Sequence, residues 1–278
     1  MVKKSLAKIF VYLMLLLMYA PIILLVIFSF VDFDYISFKQ LFNGENLNFN
    51  LYKELFTGED GETVIQAFKN TLLVAFSSGI IATILGTLGA IGIFYSGRRM
   101  RKTYELAGQI PVLNPEIITA LSLTILFVFV GIEFNFITLL IGHVVLTIPF
   151  VVLSVIPKLK QMDSNIYEAA LDLGAKPRKA LFKIVIPQIL PGILSGFILA
   201  ITLSLDDYII TAFTRNNSFV TLSTYVYGVT SKRGAIPPTL RALTTIIFVA
   251  TLAILVVYNF TSGKKKTKRG RAWENIYH

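Results

Sequence analysis

The residues with the most chemistry to offer lie in the least polar parts of the chain. Ser204, Asp206 and Asp207 fall in the run Ser-Leu-Asp-Asp within a long apolar stretch, and Glu116 follows Pro115 at the mouth of another. A carboxylate at the centre of a bilayer costs about 2.5 to 3.5 kcal/mol on insertion scales, so adjacent acids there need a cation, a partner or water. Acids on two helices can pair with the separated ammonium groups of a polycation, which would also keep neighbouring carboxylates ionised against their mutual repulsion. They can equally cap helices or pair with basic residues of another subunit. His143, in a further apolar run with Thr147 and Pro149, fits a hydrogen bond between helices or a substrate or proton role. With Cys 0 and His 2 the chain offers no thiolate or His-rich metal site.

These residues need helices to hold them, and composition says of what kind. Hydrophobic residues make up 55% of the 278 and charged residues 15%, with a mean hydropathy of +0.70. Apolar runs cover residues 9–31, 71–95, 112–130, 137–156, 189–213 and 243–260. Each is close to the roughly 20 residues that cross a hydrocarbon layer, which predicts an all-α integral membrane protein of six spans. The first run is too long for a signal peptide and reads as a retained helix that Pro21 can kink. Gly86, Gly89 and Gly92 in the second run mimic a phosphate loop, but no strand precedes them, and close helix packing is the better reading.

Charge orients the spans. Arg98, Arg99, Arg101 and Lys102 form a short basic loop, and Lys158, Lys160, Lys176, Arg178, Lys179 and Lys183 outnumber the acids of residues 158–187. Both segments belong on the cytoplasmic side, as does a basic tail over residues 264–278 that carries half the net charge of +10. The acidic connection 32–69, with interspersed aromatics, suits the external side and short amphipathic surface pieces. Six spans then leave both termini cytoplasmic. The loop 215–241 is expected outside yet holds Arg215, Lys232, Arg233 and Arg241 with no acid, a misfit with this topology. The basic tail marks orientation or touches anionic lipid rather than nucleic acid. Lys102-Thr103 and Lys266-Thr267 lack the glycine of a phosphate-binding loop, and no soluble catalytic domain is visible, so this chain is not expected to be an enzyme.

Helical geometry at about 100° per residue puts Gly192, Gly196, Ala200 and Ser204 on one small-residue stripe. Asp207 falls inside that stripe, facing another subunit or a path between subunits, and Asp206 falls just off its edge.

The polar excursion between the fourth and fifth runs is the most organised segment. A short helix over residues 164–173, a reversal at Gly174 and a helix start limited by Pro187 would make a protruding helical hairpin. Within it, Glu168, Ala169 and Ala170 are followed after three residues by Gly174, and after nine more by Ile184, Ile186 and Pro187. This spacing resembles the signature of permease subunits of bacterial ABC importers, with Ile186 where leucine is usual. The resemblance covers roughly residues 71–258 as a shared permease core, preceded by a first helix, within a single transmembrane domain 1–278.

The resemblance implies the type I importer permease fold in a multi-pass bacterial inner membrane. It implies a coupling helix, with Glu168, Ala169, Ala170, Gly174 and Pro187, that docks on a separate ATP-binding subunit and drives alternating access. The partners it implies are a second homologous permease subunit, two ATP-binding subunits and an extracellular binding protein. No cofactor is expected in this subunit, since ATP and Mg would sit on the ATPase. The Ser-Leu-Asp-Asp run, with Asn114-Pro115-Glu116, resembles the spermidine/putrescine permeases. That likeness implies a polyamine pathway carried by Asp207, Asp206, Ser204 and Glu116. Iron, thiamine or an anion are alternative cargoes, although acidic groups count against an anion. An ATP-independent secondary carrier is a further alternative, but no internal repeat supports it.

Overall fold

A computed structural model gives the structure of the chain and describes residues 2–31, 49–108, 110–233 and 238–253. Every regular element among the described residues is a helix: α1 (Val2–Phe28), α2 (Asn50–Thr57), α3 (Glu59–Tyr95), α4 (Arg98–Ala107), α5 (Ile110–Leu113), α6 (Glu116–Val130), α7 (Phe136–Gln161), α8 (Ser164–Asp172), α9 (Pro177–Ala180), α10 (Ile186–Asp206), α11 (Ile209–Thr214) and α12 (Leu222–Arg233). A last apolar helix, α13, is described over Pro238–Ala253. Four helical stretches are long and apolar enough to cross a membrane, and α6 and α13 are shorter apolar helices, so each of the six expected runs contains a helix. Residues 32–48 of the acidic connection and the whole basic tail lie outside the described residues.

The chain divides into two compact units, residues 66–225 and the remainder. In the remainder, most of α1 from Ile9 to Tyr19 presents large apolar side chains at its surface, as a lipid-facing helix would. Leu51 and Leu55, one turn apart on α2, are fully buried, while Tyr52 shares a 2.7 Å hydrogen bond with Ser29 and stacks among Phe30 and Phe49.

The unit 66–225 is built on the packing of α10 against α7. Its core gathers Ala82, Ala90, Val151, Val155, Leu159, Ile189 and Ala200. The small-residue stripe is what brings the helices together, for Gly192, Gly196, Ala200 and Ser204 are all buried. A Cβ on Gly196 would lie 3.2 Å from the Val151 Cα, and one on Gly192 would lie 3.0 Å from the Ser154 carbonyl oxygen. Only glycine allows the backbones so close. Of the three glycines in the second run, Gly86 meets the same need, since a Cβ there would lie 2.8 Å from the Val151 side chain; Gly92 faces open space. The entry to α7 is fixed by a capping box in which the Asn135 side chain accepts from Thr138 and the Thr138 hydroxyl accepts from the Asn135 backbone.

Four boundaries differ from the sequence reading, each for a local reason. The third run is not one helix: Pro115 takes the extended conformation at φ −54°, ψ 131°, and α6 begins after it. The fifth run ends at Asp206 and resumes at Ile209. Pro187 stands in the first turn of α10, but helical structure is already under way before it, from Pro177 through a π-helical segment, Leu181–Val185. A π-turn changes the hydrogen-bond register just where proline lacks a donor and crowds the preceding turn. Finally, α7 continues to Gln161, so Lys158 and Lys160 belong to its last turn rather than to the excursion, and the fifth-to-sixth connection contains α12.

Candidate functional site

The two interruptions of apolar helices come together in the unit 66–225. Where α10 stops, Asp207 adopts φ −65°, ψ 129° and turns its carboxylate onto the start of α11. One oxygen accepts from the Ile210 N–H at 3.1 Å; the other accepts from the Thr211 N–H at 2.8 Å and the Thr211 hydroxyl at 2.7 Å. An acid at the first turn satisfies donors that a helix start leaves open and complements the helix dipole. The Asp207 carbonyl is held in turn by the Ser223 hydroxyl at 2.7 Å.

Around this cap runs a buried polar chain. His143 on α7 meets Ser204 through Nδ1 at 2.7 Å and Thr211 through Nε2 at 2.9 Å, with Nε2 3.4 Å from the Asp207 carboxylate. Ser78 on α3 donates to Ser204 at 3.1 Å. Counting protons assigns the directions. The one proton of Thr211 goes to Asp207, so Thr211 accepts from Nε2–H; Nδ1 then accepts from Ser204, whose oxygen accepts from Ser78. The chain therefore donates in one direction, from Ser78 to Asp207, and no member is left without a partner. Side chains of His143 and Asp207 are 1% and 0% exposed.

Glu116 begins α6 and reaches this cap from the other interruption. It is half-buried, and its carboxyl neighbours those of Asp207 and Asp206. Neighbouring carboxyls repel one another unless one takes up a proton or a cation lies near them. Asp206, one residue before the cap, is exposed. The orientation expected for the two aspartates is thus reversed: Asp207 points into its own chain, Asp206 away from it. The 100° count presumed an unbroken helix through Asp207, whereas the helix ends one residue earlier. Ser204 keeps its expected place on the buried stripe but serves the hydrogen-bonded chain. Thr211, Ser78 and Ser223 were not singled out from the sequence. Only Thr211 carries a sequence signal, an Asp followed four residues later by Thr at a helix start.

The second group of expected residues forms a separate exposed feature. Glu168, Ala169 and Ala170 lie on α8, whose start is capped by the Asp163 side chain accepting from Asn165 at 3.0 Å. Its end is a Schellman motif: Gly174, at φ +83°, donates to the Leu171 carbonyl at 2.8 Å and Ala175 donates to Ala170 at 3.0 Å. Leu173 stands 90% exposed at the turn. Pro187 lies beyond, exposed in the first turn of α10.

Long apolar helices interrupted at neighbouring acids, with an exposed helical hairpin in the same unit, are features of a membrane transport subunit. The chain belongs to the family of binding-protein-dependent transport system inner membrane components, whose pattern matches residues 1–263. It is 34% identical over 258 residues to the spermidine/putrescine transport system permease protein PotC of Haemophilus influenzae, covering 92% of this chain and 95% of that one. It is 33% identical over 240 residues to the putrescine transport system permease protein PotI of Escherichia coli K12, covering 84% and 82%. In fold it is similar to a bacterial ABC transporter involved in import of the acidic polysaccharide alginate, with a TM-score of 0.69 over 94% of this chain and 95% of that one at 15% identity.

Proposed function

We propose that this chain is one membrane half of an ATP-driven importer that carries spermidine or putrescine across a bacterial inner membrane. The observation that carries this reading is the acidic meeting point of two interrupted helices: Glu116 against the Asp207 cap, with Asp206 exposed beside them. Carboxylates so spaced suit a flexible cation with separated ammonium groups and repel an anion. Two relatives named for polyamine transport, at 34% and 33% identity, support the same cargo. Glu116 and Asp206 contact the cargo as it passes; Asp207 and Ser204 set the shape of the break.

The subunit itself performs no bond chemistry. It pairs with a second homologous permease in the bilayer, and a binding protein outside delivers the polyamine. Two ATP-binding subunits hold ATP and Mg and grip the α8 hairpin through Glu168, Ala169, Ala170 and the Gly174 turn, with Pro187 at the base of the following helix. Both termini lie in the cytoplasm.

The test is cargo selectivity. Membrane vesicles holding the complete complex and its binding protein are given labelled spermidine or putrescine, with thiamine, ferric iron or sulfate as competitors. Polyamine accumulation that none of the competitors suppresses is expected. Accumulation of a competitor, with polyamine excluded, would remove the polyamine reading while leaving the family assignment intact.

A further inference from the structure

We propose that His143 is the positioning residue of the acidic break, the side chain that ties the two sides of the interrupted helix together and so decides which carboxylate turns inward. The inference rests on the reading of this break as the cargo contact. Between Asp206 and Ile209 the backbone is joined by Asp207 and Tyr208 alone, so α10 and α11 need an external restraint to hold one mutual angle. His143 supplies it from a third helix. Its Nδ1 is taken by Ser204 before the break and its Nε2 by Thr211 after it, at 2.7 and 2.9 Å.

The ring is itself held firmly. It is 1% exposed, and its neighbour Gly142 has no room for a methyl group, since a Cβ would lie 2.7 Å from the Ile210 side chain on α11. Five residues toward the start of α7, the Thr138 hydroxyl donates to the Thr214 carbonyl at 2.8 Å and pins the far end of α11. With α11 fixed at both ends, Asp207 is committed as its cap by three donated hydrogen bonds. That leaves Asp206 on the exposed side and Glu116 against the cap. Release of the imidazole link frees Asp207 to swing, and the number and spacing of carboxylates offered to a polycation change. His143 acts on the cargo through Asp207 without touching it.

The two ring nitrogens can be replaced one at a time. In His143→Gln the longer side chain carries an amide N–H to the neighbourhood of Nε2, and in His143→Asn the shorter one carries an acceptor to that of Nδ1. Gln therefore keeps the hold on Thr211 after the break, whereas Asn keeps only the hold on Ser204 before it, on a helix that its packing against α7 already secures. In the assembled complex, KM for labelled spermidine is expected to rise roughly five- to twentyfold in His143→Asn and to stay within about twofold in His143→Gln, with maximal rate unchanged in both. His143→Leu, which fills a similar volume without a hydrogen bond, is expected to raise KM as His143→Asn does; equal KM values in Asn and Gln, or a wild-type KM in Leu, would overturn the proposal.

A second readout needs no cargo. The chain has Cys 0, so Leu205→Cys, at a position 37% exposed beside Asp206, is a unique maleimide target. It is expected to label severalfold faster with His143→Asn than with His143→Gln, and identical rates would overturn the positioning role. A wild-type complex that does not move spermidine refutes the proposed cargo, while the labelling rates still judge His143. If either His143 variant fails to assemble, Thr211→Val and Thr211→Ser make the same comparison: Val is expected to label fast and Ser as wild type, and equal rates would again overturn the role.

Discussion

Asp206 and Asp207 are adjacent in sequence yet have different surroundings, and that difference is open to measurement. Asp207 accepts three hydrogen bonds in a buried site, so Asp207→Asn replaces one acceptor oxygen by a donor facing other donors. A loss of about 1 to 3 kcal/mol in stability is expected, read as a lower unfolding temperature and a lower yield of assembled complex, with transport falling alongside. Asp206 is exposed and holds nothing comparable in place. Asp206→Asn should leave assembly and unfolding temperature unchanged and raise KM for polyamine; an unchanged KM would remove Asp206 from the path. The acids themselves were legible in the sequence because charge in an apolar run is costly. Which one faced inward was not, because the wheel needs an unbroken helix and a polar pair inside an apolar run carries no local sign of a break. Asn114-Pro115 did carry one, since the residue before a proline is pushed away from helical geometry. His143 was legible as a hydrogen-bonding residue, but its three partners lie 61 to 68 positions away in sequence and only folding brings them together.

At the scale of elements, the hairpin of α8 and the packing of α10 on α7 make opposite demands on glycine. Gly174 needs a positive φ of +83° and has open space around it. Gly174→Ala is therefore expected to cost about 1 to 2 kcal/mol through backbone strain alone. Proline, confined near −65°, cannot make the turn; Gly174→Pro should release the ATP-binding subunit on purification, and undiminished copurification would refute the docking role of the hairpin. Gly142 is the reverse case, an ordinary helical residue with no room. Gly142→Ala must push the Ile210 side chain away from α7 at an expected cost of about 1 to 3 kcal/mol, seen in unfolding temperature. The hairpin could be read in advance because a turn glycine and its flanking helix follow local rules. The π-helical entry into α10 could not, because Pro187 suits a helix start and a register change equally well.

For the whole molecule, the six apolar runs carried the fold class, since length and hydropathy alone demand membrane helices and the family pattern over residues 1–263 agrees. The division into two units was not visible, because it depends on tertiary packing rather than composition. Orientation is the proposed step that charge supports least evenly, given the basic connection that holds α12. A fluorescent protein fused to the C-terminus should fluoresce, and a fused alkaline phosphatase should be silent; the opposite pattern would reverse the topology. ATP-driven polyamine passage through this subunit is tested most directly by uptake. Vesicles with the complete complex should accumulate labelled spermidine, and accumulation should stop when ATP is depleted or the ATP-binding subunit is left out. Spermidine uptake that persists under both conditions would contradict the account.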